Sequence, residues 1–161
     1  VIVQVEAGVV MTSLISGVDP NNFLITAWTE FKVKEIKLDH ATVELYLFDC
    51  GGQSIFNQIQ SKKQGNFVMI VFDVSNQSSF ESCGKFVGKP GVLVGNKVDK
   101  DRCVSEKEAR AFAQTNNLAY FETSPDNYDQ PFHYLATEFA NKYEATIATY
   151  LFNPWFFSRA A

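Results

Sequence analysis

Asn96, Lys97 and Asp99 stand in an N-K-x-D spacing directly after the apolar run Val92-Leu-Val94 and Gly95. An aspartate in that place can accept from the N1–H and the 2-amino group of guanine, a pair of donors that adenine does not offer. The stem of the lysine can lie along the plane of the base, and the asparagine can tie neighbouring loops together. Four such residues also read as a polar turn after a strand, so the rest of the chain has to decide. Phe121-Glu-Thr-Ser124 ends the next apolar run, where the Ser124 N–H would supply a second base contact. Pro125 follows it and has no N–H to add.

A second group of residues suits phosphate and metal. In Phe48-Asp-Cys-Gly-Gly-Gln53, an aspartate at a strand end can hold Mg²⁺ through water. Gly52 can offer its N–H to a γ-phosphate, and Gln53 falls where a hydrolytic water is oriented. A phosphate-wrapping loop should then read G-x-x-x-x-G-K-[ST] near the N-terminus. The stretch that aligns is Val5-Glu-Ala-Gly-Val-Val-Met-Thr12, with valines (Val5, Val10) for both glycines and Met11 for the lysine. Gly8 stands at another offset, and Thr12 alone is kept, as a residue that could help hold Mg²⁺. β-Branched residues resist the backbone wrap that glycine allows, and Met11 removes the cation that pairs with β- and γ-phosphate oxygens. Together these changes should cost several kcal/mol of nucleotide affinity, where each ~1.4 kcal/mol is about tenfold.

The elements that would carry these residues alternate strand and helix, the pattern of an α/β domain with a largely parallel sheet. Val1–Val5 can open the sheet, and Thr12–Ser16 would begin a first helix. Phe31–Leu38 alternates apolar residues with Lys32, Lys34 and Glu35, which predicts an exposed edge strand. It joins Thr42–Phe48 by so short a link that the two should pair antiparallel. Phe67-Val-Met-Ile-Val-Phe72 is continuously apolar, as a strand covered on both faces should be. Val92–Val94 and Leu118–Phe121 are shorter strands. Between them Ser105-Glu-Lys-Glu108 has the form of a capping box and predicts a helix to about Asn116. The last helix begins near Pro131, with Phe132, Leu135, Ala136, Phe139, Tyr143 and Ile147 on the face expected to pack on the sheet. The crossover from Val74 to Val92 is short, with Ser79–Phe86 supplying barely two helical turns.

Size and charge limit the alternatives. The chain has 161 residues, 46% hydrophobic and 20% charged, and a net charge of -4. That suits one soluble domain over 1–150 followed by an aromatic tail over 151–161, and it argues against a sequence-independent grip on nucleic acid. Cys50, Cys83 and Cys103 form no CxxC pair, so reduced thiols are expected and a disulfide framework or zinc site is not. His40 and His133 have no carboxylate or cysteine at ligand spacing in the sequence. No apolar run reaches the twenty or so residues of a membrane span. The tail carries Phe152, Trp155, Phe156 and Phe157 but no cysteine, so no prenyl anchor is expected there. Its aromatics would either dock back on the domain or be buried by a partner.

In order and spacing the sequence resembles the Ras superfamily, Rab branch, over nearly its whole length. Val43-Glu-Leu-Tyr-Leu-Phe-Asp49, Val71-Phe-Asp-Val-Ser75, Ser79-Phe-Glu-Ser-Cys83 and Gly91-Val-Leu-Val-Gly-Asn-Lys97 carry the resemblance. So do Glu108-Ala-Arg-Ala-Phe112 and Tyr120-Phe-Glu-Thr-Ser124. Pro131-Phe-His-Tyr-Leu-Ala136 is similar to the Rab-like subunit family of the intraflagellar transport B complex. The resemblance implies a small-GTPase fold, a mostly parallel sheet with one antiparallel edge strand and helices on both faces. It implies GTP or GDP with Mg²⁺ as cofactor, guanine contacts at Asn96, Lys97, Asp99 and Ser124, and phosphate contacts at Thr12 and Gly52. Metal contacts would fall to Thr12, Thr26 and Asp49, and catalysis to Gln53 as a vestige. Thr26 is placed by Thr26-Ala-Trp-Thr-Glu-Phe31, where Trp28 replaces a glycine whose N–H would meet the γ-phosphate. Pro125 likewise replaces an alanine. The resemblance further implies intraflagellar transport B partners, especially the small β-sandwich subunit twenty-five, an indirect BBSome link, and a cytoplasmic and ciliary location. Set against the eroded loop, the expected role is an assembly subunit with weak or absent GTP binding. The alternative is an active switch that binds GTP and hydrolyses it slowly.

Overall fold

β-Branched and aromatic runs build one six-stranded sheet in the computed structural model, which describes residues 2–7, 30–51 and 66–151. The strands are β1 (Ile2–Ala7), β2 (Glu30–Lys37), β3 (Thr42–Gly51), β4 (Phe67–Asp73), β5 (Gly91–Asn96) and β6 (Leu118–Thr123). Their order across the sheet is β2-β3-β1-β4-β5-β6. Every neighbouring pair is parallel except β2–β3, which is antiparallel as the short link requires. Three α-helices are described, α1 (Gln77–Ser82), α2 (Glu106–Thr115) and α3 (Gln130–Leu151), with a 3₁₀ turn at Cys83–Lys85. The first helix expected near Thr12 lies outside the described residues.

β4 and β5 are buried at every position, which is why they read as unbroken apolar runs. Two cores result. On one face Ile36, Leu45, Leu47, Met69, Val71, Val92 and Val94 meet Phe132, Leu135, Ala136 and Ala140 of α3. On the other, Val68, Ile70, Phe72 and Leu93 meet Phe80 of α1 and Ala109 and Ala113 of α2. The pairing of β4 with β5 depends on Gly91, because a Cβ there would lie 1.8 Å from the Val68 carbonyl oxygen.

The crossover between these two strands is as small as the sequence suggests. Asn76 caps α1 by accepting from the Ser79 N–H at 3.2 Å. The helix then lasts six residues, long enough to bury Phe80 against Phe72 (ring centroids 4.9 Å) and Phe112 (5.4 Å). Burying one such ring is worth roughly 2–3 kcal/mol, so a short helix can hold its place. In α2 the predicted cap forms, with Ser105 Oγ accepting from the Glu108 N–H at 3.2 Å.

β2 lies at the sheet edge as expected, with Val33 52% exposed, while Lys34 turns toward α3 and pairs with Asp129 at 2.8 Å. The Lys34 ammonium also sits over the Phe132 ring, 4.8 Å from its centroid, a cation–π contact beside the ion pair at the helix start. One expectation needs correction: the core stripe of α3 is shorter than its periodicity. Tyr143 and Ile147 remain exposed, at 57% and 39%. Ala140 is the last buried position of the stripe, and the 22-residue helix, ~33 Å long, outruns every strand but the ten-residue β3. Beyond Ala140 the turn between β2 and β3 reaches the helix through an exposed contact, with His40 Nε2 3.4 Å from a Glu144 oxygen.

Candidate functional site

In an open parallel sheet, ligands bind beyond the carboxyl ends of the strands. Here β4, β5 and β6 end abreast: Asp73 pairs in register with Asn96, and Asn96 with Thr123. The N-K-x-D residues therefore leave the sheet between two neighbours that can fix them.

Asn96 is buried, and its Oδ1 accepts from the Thr123 hydroxyl at 3.1 Å. Thr123, 1% exposed, has its hydroxyl satisfied by that bond, and its carbonyl accepts from the Val98 N–H at 3.4 Å. The asparagine ties the two loops together as its chemistry suggested. Lys97 adopts a left-handed backbone, φ 63°, uncommon for a residue with a side chain and found where surroundings enforce it. The side chain is held by Asp73. The lysine ammonium lies 2.6 Å from Asp73 Oδ2, and the turn closes with the Lys100 N–H donating to the Lys97 carbonyl at 2.9 Å.

Asp73 is held in turn. Its Oδ1 accepts from the Ser75 N–H at 2.8 Å and the Ser75 hydroxyl at 2.6 Å, and its own N–H donates to Ser79 Oγ at 3.0 Å. Burial pushes the Asp73 carboxyl up, but bonds from Lys97 and Ser75 and the lysine charge outweigh that and hold it below its ordinary value. It is ionised at neutral pH, a buried carboxylate with three donors. Glu122 braces the following loop: it pairs with Arg102 at 2.9 Å and accepts from the Tyr120 hydroxyl at 2.7 Å. Burial first, then Glu122, pushes the Tyr120 hydroxyl well above the usual range, so it stays a donor.

Of the sequence-predicted base contacts, Asp99 is exposed at the turn tip beside these groups. The Ser124 N–H is engaged: it donates to the Asn127 carbonyl at 3.1 Å, and the Asn127 N–H returns to Ser124 at 3.1 Å. Asp49 is placed by backbone only, in β3 opposite Val5 of β1. Thr12, Thr26, Gly52 and Gln53 lie outside the described residues, as do Val10, Met11 and Trp28. β1 stays in the ladder through Ala7, paired with Gly51 on one side and Val71 on the other. Val5, Glu6 and Ala7, the first three positions of the phosphate-loop alignment, are therefore strand.

Asp73, Ser75 and Thr123 were missed as site residues. The signal for Asp73 was a carboxylate closing an all-apolar strand that must lie beside the strand ending in Asn96. Among the described residues no group of histidine, cysteine and carboxylates is arranged to hold a metal ion, and no helix is long and apolar enough to cross a membrane.

Comparison with known proteins agrees with this geometry. A model of the Ras family matches residues 7–141. The intraflagellar transport protein 27 homologs of Bos taurus and Homo sapiens are each 34% identical over 148 residues, covering 80% of this chain and 80% of the relative. The GTP-binding protein ypt3 of Schizosaccharomyces pombe is 33% identical over 153 residues, covering 83% of this chain and 72% of that protein.

Proposed function

The chain belongs to the Ras family, and from that premise we propose that it is a Rab-like subunit of the intraflagellar transport B complex that works through its surfaces, with weak or absent GTP binding. The transport role is supported by the homologs named for it, which match along most of their own length. The partner we assign is the small β-sandwich subunit twenty-five, with an indirect link to the BBSome and a ciliary place of work.

The observation that carries the weak-binding part is the course of β1. The backbone must leave the sheet to wrap a phosphate chain, and here it stays paired through Ala7. Val5, Val10 and Met11 then stand where two glycines and a lysine are needed. Losing the cation and both flexible positions weakens binding by ~4 kcal/mol or more, about a thousandfold. The residues present therefore fit a guanine base better than a triphosphate. If a nucleotide does bind, Thr12, Thr26 and Asp49 are the residues that would hold Mg²⁺. With no grip on a γ-phosphate, Gln53 has no water to aim and is a vestige.

A second reading, a working switch, is supported by the N-K-x-D residues Asn96, Lys97 and Asp99, kept on a turn braced by Asp73 and Thr123. Co-expression separates the two. The chain and the β-sandwich subunit are purified together, stripped of nucleotide with EDTA and phosphatase, and run on a sizing column. Co-elution as one complex, unchanged by added GTP and Mg²⁺, is expected. Assembly only after GTP and Mg²⁺ are restored would favour the switch.

A further inference from the structure

α3 carries its apolar stripe past Ala140, its last buried position, onto turns that cover nothing. From Asn141 to Ile147 every residue is exposed. Phe139, partly buried against the core, stacks on Tyr143 with ring centroids 6.0 Å apart and planes at 14°, and Ile147 follows one turn on. Helices in proteins draw most of their stability from packing an apolar face, and here the face formed by Tyr143 and Ile147 is open to water.

The chain continues from this helix as Phe152-Asn-Pro-Trp-Phe-Phe-Ser-Arg159. Pro154 has no N–H and biases Asn153 away from helical geometry, so the helix cannot carry these aromatics onward in line. We propose that this segment folds back along α3, and that Trp155, Phe156 and Phe157 cover Tyr143 and Ile147. The reach fits. Ile147 lies ~9 Å and Tyr143 ~15 Å back along the axis from Asn153, and extended chain advances ~3.3 Å per residue, which brings Trp155–Phe157 to the levels of these two residues. Arg159, the only charge of the segment, falls between the levels of exposed Glu138 and Glu144, both of opposite sign. Each large aromatic side chain can bury about 150–250 Å², enough for three of them to close the stripe. A second copy of the chain is the weaker occupant, because a segment tethered to the helix end meets this face at millimolar effective concentration. The contact needs neither a nucleotide nor a transport partner.

The test reads Trp155 by acrylamide quenching in the full chain carrying Trp28→Phe, where it is the only indole. In the folded chain its quenching constant should be at least threefold below that in urea, and unchanged on tenfold dilution. Tyr143→Gln with Ile147→Gln, both at exposed positions, should raise the constant toward the urea value while far-ultraviolet dichroism is kept. Lys142→Gln, off the stripe, should leave it unchanged. Chymotrypsin gives a second readout without the Trp28 change: cleavage after Trp155, Phe156 or Phe157, followed by intact mass, should run at least fivefold faster in the Gln pair than in the parent. Trp155 as quenchable in the folded chain as in urea would overturn the proposal. So would protection that the Gln pair leaves intact, that fades on dilution as a second copy dissociates, or that arises only when the β-sandwich subunit is added.

Discussion

Replacing Asp73 by Asn tests whether the guanine-side loop is held by the protein's own charges. The change keeps shape and leaves an oxygen to accept from Ser75, but it removes the negative partner of Lys97 at 2.6 Å. The side chains are 10% and 32% exposed, so solvent screens the pair only in part. A hydrogen bond to a charged group is worth ~1.5–3 kcal/mol, and Lys97 can recover some of that from water, so a net loss of ~1–2 kcal/mol is expected. For a chain of this size that is roughly 2–8 °C in Tm, read by circular dichroism. Lys97→Met should lose a similar amount, and the double variant clearly less than the sum of the two, because both changes delete one interaction. The pH dependence has a definite sign. The folded-state carboxyl lies below its ordinary 3.8, so its stabilisation is fully present above that value and is lost as pH falls through the folded one. The gap between parent and D73N should be flat from pH 7 to about 5 and shrink only in acid below the ordinary carboxylate range. Additive single effects, or a gap that persists undiminished in acid, would refute the reasoning.

Other outcomes follow from the same contacts. Gly91→Ala places a Cβ 1.8 Å from the Val68 carbonyl oxygen and should leave the protein insoluble or several kcal/mol less stable, while Gly84→Ala, with nothing within 4 Å, should change Tm little. Cys83 is buried and its thiol is pushed up to about 12, so iodoacetamide at pH 8 should label exposed Cys103 well before Cys83 by peptide mass spectrometry. Met11→Lys alone should not restore tight GTP binding by calorimetry, because Val5 and Val10 still oppose the wrap; full rescue would show the steric argument wrong.

What was legible in the sequence was local and strongly patterned. The apolar run at β4, the capping box at Ser105 and the short β2–β3 link each dictate one element, and each element formed where expected. N-K-x-D was legible because its chemistry and its place after a strand agree. What escaped needed the third dimension. Nothing in the alternation of β2 says that Lys34 faces inward, because the reason is Asp129, far along the chain on the start of α3. Asp73 carries part of the resemblance but does not read as a site residue, because an aspartate after an apolar strand also suits a turn; its partner Lys97 is 24 positions on and is reached only by sheet register. The stripe of α3 was legible, but not the point at which the sheet beneath it ends.

Whether the purified chain carries nucleotide is the most direct test of the weak-binding proposal. The protein should be prepared with Mg²⁺ throughout, denatured, and its supernatant run on an ion-exchange column calibrated with GDP and GTP. No guanine nucleotide at stoichiometric level is expected. One mole of GDP or GTP per mole of protein would contradict it and make the chain a working switch.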